Sequence, residues 1–60
     1  MVTLQEMITC AERELRLRKA HYPRWVRQNK ITQKEADLEI ARMRAIRDHL
    51  ESARWRVRAP

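Results

Sequence analysis

Sixty residues with a formal net charge of +6 leave room for one domain and a small core. A single cysteine, Cys10, excludes an intrachain disulfide, and two distant histidines, His21 and His49, do not join it at metal-ligand spacing, so neither metal nor cofactor is expected. No stretch approaches the roughly 20 apolar residues of a membrane span, and the cation excess favours acidic partners: nucleic acid, nucleotides or an acidic protein face.

The chain has no glycine and no phenylalanine. Without glycine it is poorly equipped for tight β-turns, and helix formers dominate instead. The expected class is all-α: residues 1–60 as one antiparallel two-helix hairpin with a proline-containing elbow. Helix 1 is expected over about 3–22, the elbow over 23–32 and helix 2 over about 33–57.

Thr3-Leu4-Gln5-Glu6 has the form of a capping box. Leu4, Ile8, Ala11, Leu15 and Tyr22 then recur at helical spacing, with Met7 beside them. Arg18 falls in the same stripe, where its stem packs and its head leaves the core. A second, weaker stripe runs through Cys10, Leu17 and His21. It lies off the main face and is a candidate oligomer contact. Acidic Glu6, Glu12 and Glu14 come early and basic Arg16, Arg18 and Lys19 late, matching the helix dipole.

Pro23 lacks an amide donor and restricts Tyr22, so the first helix is expected to kink or end there, with a short restart through Trp25, Val26 and Gln28. Asn29 tolerates the left-handed conformation and is the natural stop. Ile31 precedes a second capping box, Thr32-Gln33-Lys34-Glu35.

In the second helix Ala36, Ile40, Met43, Ile46, Leu50, Ala53 and Val57 form the core stripe. Arg47 and Glu51 are spaced to pair across one turn. The opposite side carries Leu38, Ala41 and Ala45, and the small residues there would admit another helix closely. With Cys10, Leu17 and His21 these are the candidate oligomer-interface residues. They point to a homo-oligomeric bundle, a dimer or higher, because so short a chain buries little by itself.

Catalytic groups are scarce. Cys10 has Glu6 and Glu14 one turn away on either side, negative neighbours that disfavour the thiolate a nucleophile needs. No catalytic residue is assigned, and an enzyme is not expected. Binding residues are easier to name. Between Arg16 and Lys34 the chain has no acidic residue. Tyr22, Arg24, Trp25, Arg27, Lys30 and Lys34 gather there, and Arg54, Trp55 and Arg56 form a second basic group at the far end. Cations interleaved with aromatics suit phosphate neutralisation and base stacking. Tyr22 and Trp25 equally suit the role of lids on a core that needs its large side chains, and that reading has the greater weight.

Several of these runs occur together in a known setting. Glu14-Leu15-Arg16-Leu17-Arg18, Tyr22-Pro23-Arg24-Trp25-Val26, Lys30-Ile31-Thr32-Gln33, Ala36 and Glu39-Ile40-Ala41-Arg42-Met43-Arg44-Ala45-Ile46 fall in this order. The stretch from Glu12 to Leu50, about two thirds of the chain, resembles a loose family of very small helical-hairpin proteins encoded by bacteriophages and prophages of proteobacteria. It departs from that pattern at Asn29, where glycine is usual. The resemblance implies an accessory protein that binds and modulates or inhibits a host protein or complex, immune evasion (anti-defence) being one such role. Direct nucleic-acid or nucleotide binding through the elbow is the alternative, and a structural part of a phage assembly the second alternative. The N-terminus lacks the basic-then-apolar order of a signal peptide. With the resemblance, this places the expected protein in the cytoplasm of a bacterial host.

Overall fold

The computed structural model describes the backbone of residues 1–58 and the side chains of residues 1–55. Two helices account for nearly all of it, α1 over Leu4–Arg27 and α2 over Gln33–Arg58. They lie antiparallel. Arg18 on α1 meets Glu39 on α2 near the elbow, and Gln5 meets Arg54 near the termini. The hairpin measures 50 × 20 × 15 Å.

Each helix begins where a threonine hydroxyl replaces a missing backbone partner. Thr3 Oγ1 accepts from the Glu6 amide at 3.1 Å, and Thr32 Oγ1 accepts from the Glu35 amide at 3.0 Å. The hydroxyl half of both expected capping boxes therefore forms.

The end of α1 differs from the expectation. The helix does not stop at Tyr22; it runs through Pro23 to Arg27, and the elbow shrinks to residues 28–32. Pro23 cannot donate to the Lys19 carbonyl, which removes one helical bond. Both residues are exposed, so that carbonyl is within reach of water. Closure comes at Asn29, whose φ of 58° is the only positive one among the described non-glycine residues. The Asn29 amide donates to the Val26 carbonyl at 3.0 Å and the Lys30 amide to the Trp25 carbonyl at 2.9 Å. This pair of crossed bonds is the Schellman ending, built on asparagine in a chain without glycine. Helix termination is therefore a property of Asn29, six residues beyond the proline.

The interhelical seam is narrow. Ile8, Ala11, Leu15, Ala36 and Met43 are the buried apolar residues, with Ile40 and Leu50 packed partly against the Ala11–Leu15–Met43 cluster. Ile46, expected in this seam, is 51 % exposed. It stands at the edge of the α2 stripe, where a single neighbouring helix does not reach. The side chain of Val57 lies outside the described residues.

Arg18 closes the elbow half of the seam. Its Nε donates to Glu14 Oε1 at 3.0 Å, and its Nη1 donates to the Glu39 carbonyl at 2.9 Å. Nη1 also lies 3.4 Å from Glu39 Oε2, and Arg42 pairs with the other oxygen of that carboxylate. The arginine stem packs as expected, but its head crosses to α2 instead of leaving for solvent. The hydrogen bond to Glu14 holds the Arg18 guanidinium above its already high ordinary range, against a smaller opposing effect of burial. A raised arginine pKa stabilises at every pH below the unfolded-state value and is lost only as pH rises through the folded-state value. Arg18 therefore stays charged in acid and at neutrality. The expected Arg47–Glu51 pair does not form: Arg47 bonds its neighbour Asp48 at 2.8 Å, and Glu51 lies 3.7 Å from Arg54.

Two substitutions test this account by urea denaturation. Pro23→Ala restores a helical donor and is expected to stabilise the hairpin by roughly 1–3 kcal/mol; a loss of stability would mean that the proline is needed for the turn. Arg18→Ala removes the bridge to Glu39 and is expected to cost roughly 1–2 kcal/mol. No change in midpoint would show that the bridge is not stabilising.

Candidate binding surfaces at the elbow and on the flank

The last turn of α1, the elbow itself and the first turn of α2 bring Arg24, Arg27, Lys30 and Lys34 to one end of the hairpin. All four are exposed, and none takes part in an ion pair among the described residues. Continuing α1 through Pro23 is what sets Arg24 and Arg27 on a rigid helix. Between the two helix ends lies an open groove of about 520 Å³ lined by Val26, Asn29, Lys30, Ile31, Thr32 and Glu35. Glu35 is the one acid at this groove. The acid-free run in the sequence ends just before it, so the patch is less uniformly positive than linear order suggests.

Three rings stand together on the preceding turn. Tyr22 and Trp25 have centroids 5.4 Å apart at 35°, and His21 stacks on Trp25 at 6.1 Å and 20°. Helical spacing accounts for this, since residues three and four apart share a face. Tyr22 is half-buried, whereas Trp25 remains 36 % exposed. The Trp25 ring is already contacted by two aromatics. The cluster lines a shallow hollow with Glu14, Leu17 and Arg18.

The distal basic group is arranged differently. Arg54 is engaged inside the hairpin, bonding Gln5 across the helices and lying near Glu51. It joins the two ends of the hairpin while staying partly exposed. Trp55 is exposed. The side chain of Arg56 lies outside the described residues.

The oligomer candidates fall on two different surfaces. Leu38, Ala41 and Ala45 are exposed along the back of α2. Cys10, Leu17 and His21 are exposed on the outer flank of α1. There the structure adds residues that the weak stripe did not include: Met7, Met43, Ile46 and Leu50, with Cys10, border a groove of about 470 Å³ between the helices, almost wholly apolar in its lining. Reading the stripes of α1 and α2 together, instead of each alone, was the signal that would have found it. Among the described residues no helix is long and apolar enough to cross a membrane, and no cluster of three or more His, Cys, Asp or Glu is placed to hold a metal ion. Comparison with protein-family models, curated proteins and solved structures finds no match for the chain.

The two basic ends are expected to respond differently to mutation. Arg24→Ala, Arg27→Ala and Lys30→Ala should each leave stability within about 0.5 kcal/mol of the parent. Arg54→Ala should lower it by roughly 0.5–1 kcal/mol. Equal effects at both ends in thermal melts would contradict the separation of free from engaged cations.

Proposed function

We propose that the chain is a small binding protein, not an enzyme, of the phage accessory type, and that it modulates a host protein by docking its cationic elbow on an acidic surface. The observation that carries this reading is that the cations gathered at the elbow are all unpaired, whereas those of the shaft are divided: Arg13, Arg16, Lys19 and Arg44 hold no ion pair among the described residues, and four others do. Arg18, Arg42, Arg47 and Arg54 on the shaft are held in ion pairs, while Arg24, Arg27, Lys30 and Lys34 at the elbow hold none among the described residues. Unpaired cations on the helix ends and the bonded turn between them keep their full field for an incoming anion and steer its approach. The resemblance of residues 12–50 to small phage and prophage proteins supports a bacterial, host-directed setting, with anti-defence activity among the roles it favours.

A second reading, direct binding of nucleic acid or a nucleotide, is favoured by Trp25, an exposed ring set among these cations. The contacts that His21 and Tyr22 make with Trp25 lower its availability for stacking. This is why a protein surface is preferred.

One comparison separates the two. Immobilised protein and its Arg24→Glu/Arg27→Glu variant are exposed to nuclease-treated bacterial lysate and, in parallel, to oligonucleotides. The preferred reading expects a defined protein retained on the parent and lost from the charge-reversed form. Oligonucleotide binding that collapses steeply with salt, together with no charge-dependent protein, would establish the second reading. Retention unaffected by charge reversal would overturn both.

A further inference from the structure

One acid stands among the elbow cations. Glu35 lines the groove between the helix ends together with Lys30, Val26 and Ile31. We infer that Glu35 determines which acidic surface the elbow accepts: one that presents an arginine into this groove from among its carboxylates. The inference rests on the proposed docking of the elbow on an acidic protein surface and adds the partner's charge pattern to it.

The Glu35 carboxylate is uncommitted. The two acids that follow it on α2 are engaged: Asp37 accepts from Gln33 Nε2 at 2.8 Å, and Glu39 pairs with Arg18 and Arg42. Glu35 is exposed and holds no ion pair among the described residues. Its backbone amide serves the helix cap, donating to Thr32 Oγ1 at 3.0 Å. An acid in the first turn of α2 also favours the helix start by its charge. The groove gives the same side chain a second use.

The groove's chemistry identifies the complementary group. Val26 and Ile31 are half-buried apolar residues in its lining, and its volume of about 520 Å³ falls among clefts that hold small ligands. Apolar walls beside a carboxylate match an arginine, whose stem packs on them and whose planar head donates two parallel bonds to one carboxylate. Lysine would bring a point charge without that fork. A nucleic-acid strand has no cation to set against Glu35 and would bring phosphate toward it. Arg24, Arg27, Lys30 and Lys34, unpaired around this acid, then meet carboxylates placed around the partner's arginine.

Fluorescence anisotropy of two labelled peptides tests this at low ionic strength, where exposed charges are least screened. Both peptides are glutamate-rich; one has a central glutamine and the other a central arginine. Net charge alone favours the glutamine peptide, which is the more acidic. The inference expects the opposite on the parent chain, with the arginine peptide bound roughly threefold to fivefold tighter, the upper range for a solvent-reached ion pair. Glu35→Gln, which keeps a residue suited to a capping box, is expected to invert that order. Asp37→Asn, which removes an equal charge on the next turn position but one, is expected to preserve it. An arginine peptide that binds the parent no tighter, an order that survives Glu35→Gln, or an inversion caused equally by Asp37→Asn would overturn the role of Glu35 and leave the elbow as a surface for acids. Arg24→Glu/Arg27→Glu is expected to release both peptides. A parent that binds neither peptide, or a charge-reversed form that keeps both, would overturn the proposed function and this inference with it.

Discussion

Two helices have only each other to lie against, and this geometric limit governs the molecule. Each helix is roughly 36–39 Å long, yet it presents one narrow stripe to its neighbour. Among the described residues five apolar ones are buried, and of these only Ile8 completely. Anything wider than that stripe remains in water. Ile46 and Leu17 stay exposed for this reason, although both are residues that a larger fold would bury.

Polar groups supply what the thin core lacks. Arg18 ties α1 to a backbone carbonyl of α2, and Arg54 ties the far ends. These contacts stand at opposite ends of the seam with the Ala11–Leu15–Met43 cluster between them. The cations are divided as well: Arg18, Arg42, Arg47 and Arg54 are held in ion pairs, whereas Arg24 and Arg27 at the elbow hold none among the described residues. A net charge of +6 says nothing of that division, because it counts paired and unpaired groups alike.

Much of the architecture was legible in the sequence where the determinant is local. Thr3 and Thr32 announce helix starts by chemistry that acts over three residues. Asn29 announces the stop because little else in a glycine-free chain adopts positive φ readily. Pro23 misled for an instructive reason. Its cost is one hydrogen bond on an exposed face, and the crossed bonds at Val26 and Trp25 finish the helix downstream. A proline ends a helix only where the residues beyond it offer no better stop. The placement of Arg54, the exposure of Ile46 and the shared groove on the flank were not legible in this way. Each depends on where the second helix lies, and hydrophobic periodicity leaves that azimuth undetermined at the edges of a stripe. The elbow cations were visible as a run, but their freedom from ion pairs, and the intrusion of Glu35, emerge only once both helix ends are placed.

Asn29 has a further consequence. Crossed amide bonds on the α1 side and a threonine cap on the α2 side fasten a turn of only five residues, 28–32. A connection so fully bonded does not behave as a hinge. Whatever meets the elbow encounters a preorganised stencil of charge instead of a loop that must first be ordered. The conformational entropy usually surrendered at such a contact has already been lost in folding. On the proposed reading, affinity would then depend on how well a partner's anions match a fixed spacing, and the tip of this hairpin would discriminate among partners despite its small size.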